Sequence, residues 1–279
     1  MVRTLVINSS NYVENSGNKY EYRFPQTAKF SAGSSIAVAN LAIYNSIQNV
    51  TEKRGNNVIT LNWLNTDYVF TIPSGYYSVP DLNFYIQQQC IINGLYMTAN
   101  SGADNVYFAE IVINSIRYST SLNFYAIPTE AEATAKGYVK PTNATWNFPA
   151  TSQCPSLTLK QPFANLVGFT FGTYPRTLQS TNTQILSSQT PVISPVDSLI
   201  FTCNLVSSKY SIPSDVFYSV PISASLGSLI LFNNTSLVYN DIIPQHFSSL
   251  IITVYDQLFL PVVLLDKELT LTLSISEPQ

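Results

Sequence analysis

Apolar and polar residues alternate along much of this chain, and the alternation is clearest between Val58 and Ile72. The apolar positions there recur about every second residue in two runs, with mostly polar residues between them: Ile59, Leu61 and Trp63 or Leu64 in the first run, then Tyr68, Phe70 and Ile72 in the second. A period of two is typical of a strand that buries one face and leaves the other in water. This stretch therefore predicts two neighbouring strands.

The period changes after a turn at Pro73–Gly75. Ser78 and Asp81, three residues apart, form a capping-box pattern with Pro80 in the first turn of a helix. Asn93 and Gly94 end the pattern. Helical spacing between these limits is carried by Leu82, Tyr85 or Ile86, and Gln89 or Cys90. This is the only well-specified helix that the sequence predicts, apart from a short helical turn over Phe163–Val167.

Strand patterns recur through the rest of the chain. Within one of them the alternation of Ile36 and Val38 slips by one residue before Leu41 and Ile43. The predicted strand segments are Thr4–Tyr12, Tyr20–Phe24, Ser34–Ser46, a hairpin-like pair within Asn105–Ile127, Leu157–Tyr174, Ser198–Val206, Val216–Ile222, Leu229–Tyr239, Leu250–Phe259 and Leu269–Ile275.

Many strands and long connections predict an all-β fold. We expect an antiparallel β-sandwich, a single eight-stranded jelly roll with one short helix and elaborated loops or a small insertion. A closed barrel is the alternative. Residues 129–156 are rich in Ala, Thr, Pro and Asn and show little periodicity. The domain prediction is therefore one jelly-roll domain over residues 1–279, with an inserted or protruding β-rich element at about 128–190.

The chain is poor in charge. Asp, Glu, Lys and Arg make up 10% of its 279 residues, against about 25% in an ordinary soluble domain. Ser, Thr, Asn, Gln and Tyr replace them and predict a neutral, hydrogen-bonding surface. Because charged residues are depleted at buried interface cores, such a surface favours a subunit that packs against neighbours. An ordinary neutral surface is the alternative interpretation.

Charge and hydropathy also bear on the partners. A net charge of −3 with no concentrated basic patch argues against direct nucleic-acid binding. The longest apolar run, Leu258–Leu265, contains Pro261 and is far shorter than the roughly 20 residues of a membrane-spanning helix. The opening MVRTLVINSS lacks the long apolar region of a signal peptide. We therefore expect no membrane-spanning segment and a protein made in a cytosol-like compartment.

Residues with catalytic or metal-binding potential are few. His246 is the single histidine and has no Asp, Glu or Cys nearby in sequence. Asp197 and Asp256 form a possible carboxylate pair, but single Asp residues at strand ends are more often turn partners. Three cysteines, Cys90, Cys154 and Cys203, are far apart and predict packed thiols. The sequence predicts no catalytic, cofactor-binding or metal site, and hence no enzyme.

Tyrosine is abundant, at 18 residues. Exposed tyrosines beside Asn and Asp can form a carbohydrate-binding face, as in lectin jelly rolls. Most of the tyrosines lie at strand positions, where packing or subunit contact explains them: Tyr20, Tyr22, Tyr68, Tyr107 and Tyr118. Carbohydrate binding by a jelly-roll module is therefore one candidate function.

Three phrases of the sequence, in this order, carry a resemblance to a known family. They are TIPSGYYSVPDLNFYIQQQ, FANLVGFTFGTYP and SPVDSLIFTCNLVSSKYSIPSDVFYSVPI, and they span residues 58 to 222 together with the strand that precedes the first. The combination resembles the penton, or minor capsid, proteins of virophages and polinton-like viruses. Related phrases also occur in other small jelly-roll capsid proteins of this virus group.

The resemblance implies a viral structural protein of the virion. The alternative function is a receptor- or carbohydrate-binding jelly-roll module of a virus, of the fibre-head type. The resemblance implies a single jelly roll, five copies of which form a homopentamer that closes each icosahedral vertex of the capsid, with the double jelly-roll capsomers of a major capsid protein as neighbours. A ring closed by five-fold rotation uses heterologous interfaces and hides sheet edges. We further expect the first dozen residues, followed by Asn15–Asn18, to form an arm that reaches under neighbouring subunits.

Overall fold

The computed structural model describes residues 1–99 and 102–278, and over these residues the protein consists mainly of antiparallel strands. The predicted all-β class is confirmed. The strands are β1 (Val2–Asn8), β2 (Lys19–Lys29), β3 (Ser35–Tyr44), β4 (Val58–Trp63), β5 (Thr66–Thr71), β6 (Met97–Ala99), β7 (Asp104–Val106), β8 (Ala109–Asn114), β9 (Ser119–Phe124), β10 (Ser156–Leu159), β11 (Gly172–Tyr174), β12 (Thr183–Leu186), β13 (Ser198–Cys203), β14 (Val216–Pro221), β15 (Leu229–Asn233), β16 (Asn240–Asp241), β17 (His246–Asp256) and β18 (Leu269–Ser276).

The described residues also contain three α-helices: α1 (Val79–Ile92), α2 (Glu130–Ala135) and α3 (Gln161–Leu166). Helix α1 begins and ends where the sequence predicts. Ser78 caps it, Ser78 and Asp81 form the capping box, and Asn93 ends it. Two further helices of six residues each are present: α3 overlaps the predicted helical turn over Phe163–Val167, whereas α2 was not predicted because it is too short to show a helical period. The longest of the described helices, α1, has 14 residues, and none combines the length and the apolar character of a membrane span.

The chain divides into two compact units. Residues 1–48 and 196–279 form the first, which we call the jelly-roll unit, and residues 49–195 form the second, the inserted unit. The element predicted at about 128–190 lies within the inserted unit. The sequence gives no sign of a boundary at residue 49, because β4 and β5 alternate just as the strands of the jelly-roll unit do.

Strand order in the jelly-roll unit is that of an eight-stranded jelly roll. One sheet has the order β1-β18-β3-β15, with the short β16 also on β3, and the other has the order β14-β13-β17-β2. Each pairing in both sheets is antiparallel. Neighbouring strands are mostly distant in sequence, as Greek-key connections require. The predicted antiparallel jelly-roll sandwich is thus observed in this unit, and the alternative closed barrel is not.

The apolar positions predicted from alternation form the core between the two sheets. In β18 the buried residues are Leu269, Leu271, Leu273 and Ile275, and they belong to the same cluster as Leu250, Ile252 and Val254 of β17. The slip in β3 is a β-bulge. Thr272 lies opposite Asn40 while Leu273 lies opposite Val38, so Ala39 is the extra residue that returns the alternation to the correct face.

The first dozen residues do not form a free arm, and that prediction is wrong. Strand β1 pairs with β18 along its whole length, from Val2 opposite Ser276 to Asn8 opposite Thr270. Ile7 is fully buried in the core. The predicted strand segment Thr4–Tyr12 therefore overlaps a strand of the sheet, β1.

The inserted unit has its own hydrophobic core, and hydrogen bonds connect the two ends of its chain segment. Its sheets have the orders β11-β10-β4-β5, β12-β9-β8 and β6-β7. Its first residue, Asn49, donates side-chain hydrogen bonds to the carbonyls of Tyr77 and Ile193, both at 2.8 Å, and so joins the beginning and the end of the unit. The edge strand β8 is covered by α1, where Asn83 accepts the Ile111 N–H at 2.9 Å. The core cluster includes Trp63, Phe70, Leu122, Phe124 and Phe163.

Candidate functional site

The residues with catalytic potential do not form a site. His246 is exposed at the start of β17, opposite Lys29. Asp256 is fully buried, and its carboxylate accepts the N–H groups of Leu258 and Leu260, both at 2.9 Å. Asp256 therefore folds the turn after β17. Asp197 is exposed one residue before β13. Among the described residues, no group of three or more His, Cys, Asp or Glu is placed to hold a metal ion.

The three cysteines are buried and free, as the sequence predicts for packed thiols. Burial raises the pKa of the Cys90 thiol to about 12, of Cys154 to about 11 and of Cys203 to about 12. Thiols with these values stay protonated at neutral pH, and the thiolate is the nucleophile and metal ligand. Their role is packing in the two cores.

The outer face of the β1-β18-β3-β15 sheet is the most distinctive surface of the jelly-roll unit. Strand register places Asn8, Thr270, Ala42 and Leu231 in one row across the four strands. The next row is Val6, Thr272, Asn40 and Asn233. We call this surface the neutral face and define it by Val2, Thr4, Val6, Asn8, Asn40, Ala42, Tyr44, Leu229, Leu231, Asn233, Thr270 and Thr272.

None of the side chains that define the neutral face is charged, and several are apolar and exposed. The exposed fraction is 63% for Val2, 49% for Val6, 45% for Leu229 and 57% for Leu231. Val2 and Val6 lie on one edge strand and the two leucines on the other. Charges begin at the rim of the sheet, with the 3.6 Å ion pair of Arg3 and Glu277, and with Asp241 of β16. Removing this face from water would desolvate no charge within it.

The outer face of the opposite sheet carries charge at its edge. In β2, Lys19, Glu21 and Arg23 alternate with Tyr20 and Tyr22 and lie opposite Thr253, Ile251 and Ser249 of β17. Arg23 and Glu21 form an ion pair at 3.5 Å, and the Arg23 side chain is 82% exposed. Alternating charges on an edge strand oppose pairing with another chain. We therefore expect the β2 edge to remain exposed to solvent.

The tyrosines singled out in the sequence have different environments. Tyr20 is fully buried, and its hydroxyl donates to the Lys267 carbonyl at 3.1 Å. Tyr22, Tyr68 and Tyr107 are half-buried on or beside strands. Tyr118 is not a strand residue: it lies in the turn between β8 and β9 with φ of 50° and is 81% exposed. Packing therefore explains some of these residues and not Tyr118.

Solved structures include chains with a fold similar to this one. No protein family matches the chain, and no curated protein matches it significantly. The chain is similar to the crystal structure of the selenomethionine-labelled mavirus penton protein, with 11% sequence identity, a TM-score of 0.43 and 100% of each chain covered. A match of this quality carries no conclusion about what the chain does.

Proposed function

We propose that this chain is a structural protein of a viral capsid, a penton whose jelly-roll units associate side by side into a homopentamer at the five-fold vertices. The neutral face is the observation that carries the proposal. Its apolar edge residues and its lack of charge match the composition of buried interface cores. Its position on a four-stranded sheet gives a broad surface for a second copy of the chain.

A five-fold ring requires a heterologous contact, in which one surface of each subunit meets a different surface of the next. The neutral face supplies the first of these surfaces. A candidate for the second is the loop before β14, where Tyr210 is fully exposed and Ile212 is 94% exposed. The charged edge at Lys19, Glu21 and Arg23 is unsuited to either role, because burying it would require partners for three charges.

The surroundings of the pentamer are part of the same proposal. We expect the ring to be a component of the virion, surrounded by the double jelly-roll capsomers of a major capsid protein, and to assemble in a cytosol-like compartment of the host. The resemblance of the phrases at residues 71–89, 163–175 and 194–222 to virophage and polinton-like virus pentons supports this context. The role is structural and not catalytic, since Asp256 is engaged in a turn and the cysteines are buried.

The mass of the purified protein in solution, measured by light scattering over a range of concentrations, tests the proposal. We expect a discrete species of five chains that dissociates on dilution. A trimer would contradict five-fold assembly and would favour the fibre-head alternative. A monomer at every concentration would contradict assembly through the neutral face alone.

The alternative, a receptor- or carbohydrate-binding module, also has one observation in its favour. It is a tyrosine-lined cavity in the inserted unit, outside the jelly-roll unit to which the sequence assigned that function. Binding at this cavity is compatible with pentamer formation, so the two functions are tested separately.

A further inference from the structure

Four segments of the inserted unit converge on a cavity of about 380 Å³. The lining residues come from residues 105–110 in β7, β8 and the link between them, residues 125–126 after β9, residues 136–138 after α2, and Asn182 before β12. Three tyrosines line it: Tyr107, Tyr125 and Tyr138, each half-buried. Small-molecule sites in proteins typically have volumes of roughly 300–1,000 Å³. The cavity is therefore large enough for a small ligand and is lined by aromatic rings.

The three rings are held by separate contacts. The ring of Tyr107 lies 6.4 Å from that of Tyr96, at an interplanar angle of 31°. The Tyr125 hydroxyl donates to Glu110 Oε2 at 3.1 Å. Burial, and then the charge of Glu110, raise the pKa of Tyr125, so its hydroxyl remains a donor at neutral pH. The backbone N–H of Tyr138 donates to the Ala133 carbonyl at 2.9 Å, which anchors this residue to α2.

Polar groups of several kinds surround the rings. Glu110 contributes acceptor oxygens, and Lys136 contributes an ammonium group that lies 6.0 Å from the Tyr138 ring centre. Asn105 donates to the Tyr107 hydroxyl at 3.3 Å, and Asn182 accepts the Ala126 N–H at 3.0 Å. Carboxylate, ammonium, amide and phenol groups together supply both donors and acceptors.

This mixture indicates the class of ligand. A quaternary or methylated ammonium group would be attracted by three aromatic rings, but the positively charged Lys136 lines the same cavity and would repel it. An anion would meet the carboxylate of Glu110. A neutral sugar ring has an apolar C–H face that packs on tyrosine, and its hydroxyls both donate and accept hydrogen bonds. Among these classes the neutral sugar fits each group in the cavity.

We infer that the cavity lined by Tyr107, Tyr125 and Tyr138 binds a neutral saccharide, with the sugar ring packed on the tyrosines and its hydroxyls hydrogen-bonded to Glu110 and the neighbouring amides. The inference goes beyond the proposed capsid role. It depends only on the inserted unit and holds whether or not the jelly-roll unit forms a pentamer.

Saturation-transfer NMR on the full chain tests it. The probes are the neutral disaccharides lactose, maltose, mannobiose and N,N′-diacetylchitobiose, with sialyllactose as the anionic probe and choline as the cationic one. We expect saturation transfer to at least one neutral disaccharide and none to choline. The inference is overturned if no neutral disaccharide receives saturation, or if the only probe that receives it is choline or sialyllactose.

Variants locate the binding. Tyr107→Ala and Tyr138→Ala are expected to weaken the affinity for the neutral probe about tenfold, because each removes a packing surface of the sugar. Glu110→Gln removes an acceptor and is expected to weaken it severalfold. Tyr118→Ala is the matched control, since Tyr118 is an exposed tyrosine of the same unit that does not line this cavity.

The melting temperature of each variant shows whether it has folded. If Tyr107→Ala, Tyr138→Ala and Glu110→Gln are all folded and bind the neutral probe with wild-type affinity, the sugar binds elsewhere and the assignment is overturned. Equal loss in Tyr118→Ala would do the same.

Discussion

The two outer faces of the jelly-roll unit share one core but differ in charge. The face of the β1-β18-β3-β15 sheet directs Val6, Asn40 and Leu231 outward. The face of the other sheet ends in Lys19 and Arg23 on β2. Only 10% of the residues in the chain are charged. Charged side chains lie on the edge strand β2, where they oppose pairing with another chain, and none belongs to the neutral face. This difference indicates that the neutral face, and not the outer face of the β14-β13-β17-β2 sheet, is the one that a partner covers.

The largest effect is expected inside the sandwich. Leu271→Ala in β18 removes a fully buried side chain and should lower the free energy of unfolding by about 2–5 kcal/mol. Thr272→Ala, at the next position and on the neutral face, should change it by less than about 0.5 kcal/mol. Chemical denaturation measures both values. Equal costs would mean that the strand does not bury one face and expose the other.

The next largest effect is on assembly. Leu231→Lys and Val6→Lys each put a charge on the neutral face and should weaken association at least about tenfold, because the charge must be desolvated when the face is covered. The monomer should keep its stability, since both side chains are exposed. Val69→Lys is the matched control, as Val69 is 64% exposed on β5 of the inserted unit. Light scattering against concentration gives the association constant, and unchanged association in both variants would contradict the assigned interface.

The charged edge is expected to show the opposite behaviour. Replacing Lys19, Glu21 and Arg23 together by Thr should promote irregular self-association, because the charges that oppose strand pairing are removed while β propensity is kept. Dynamic light scattering should show particles larger than the wild-type species. The control is Glu52→Thr with Arg117→Thr and Lys160→Thr, which removes the same charges from the inserted unit. Particle growth in the control to the same extent would assign the effect to net charge and not to the edge.

The smallest expected effect is on stability, through the carboxylate of Asp81 in the capping box of α1. Hydrogen bonds from the Ser78 hydroxyl and backbone N–H lower the pKa of Asp81 at the start of α1. The stability from this interaction is therefore complete above the unfolded pKa of about 3.9 and is lost as pH falls through the lower folded value. Ser78→Ala should cost about 1 kcal/mol at pH 7 and clearly less in strong acid. Denaturation at the two pH values measures this, and a cost independent of pH would argue against the capping box.

Local features of the fold could be predicted from the sequence. Ser78, Asp81 and Asn93 fix the limits of α1, because caps act within one turn of the chain. The slip between Val38 and Leu41 is a bulge that returns the strand to the correct face. Helix α2, at six residues, is too short for a helical period to be visible, whereas α3 overlaps the predicted helical turn over Phe163–Val167. Only local patterns of sufficient length carry such information.

Long-range features could not be predicted in the same way. The boundary at residue 49 depends on which strands share a core, and apolar alternation is present in strands of both units, such as β3 and β4. The neutral face depends on register between strands as distant in sequence as β1 and β18. The tyrosine-lined cavity likewise brings Tyr107 and Asn182 together from distant parts of the chain. Low overall charge predicted an interaction surface without locating it.

The most direct measurement of the central claim is the accessibility of one residue on each face in the assembled protein. Thr270 on the neutral face and Thr27 on β2 are both exposed threonines of the jelly-roll unit, and the natural cysteines are buried. Thr270→Cys and Thr27→Cys are to be labelled with a maleimide at concentrations above and below association. The proposed interface requires Thr270→Cys to be protected only at high concentration and Thr27→Cys to react equally at both. Equal reactivity of Thr270→Cys at both concentrations, or protection of Thr27→Cys instead, would contradict it.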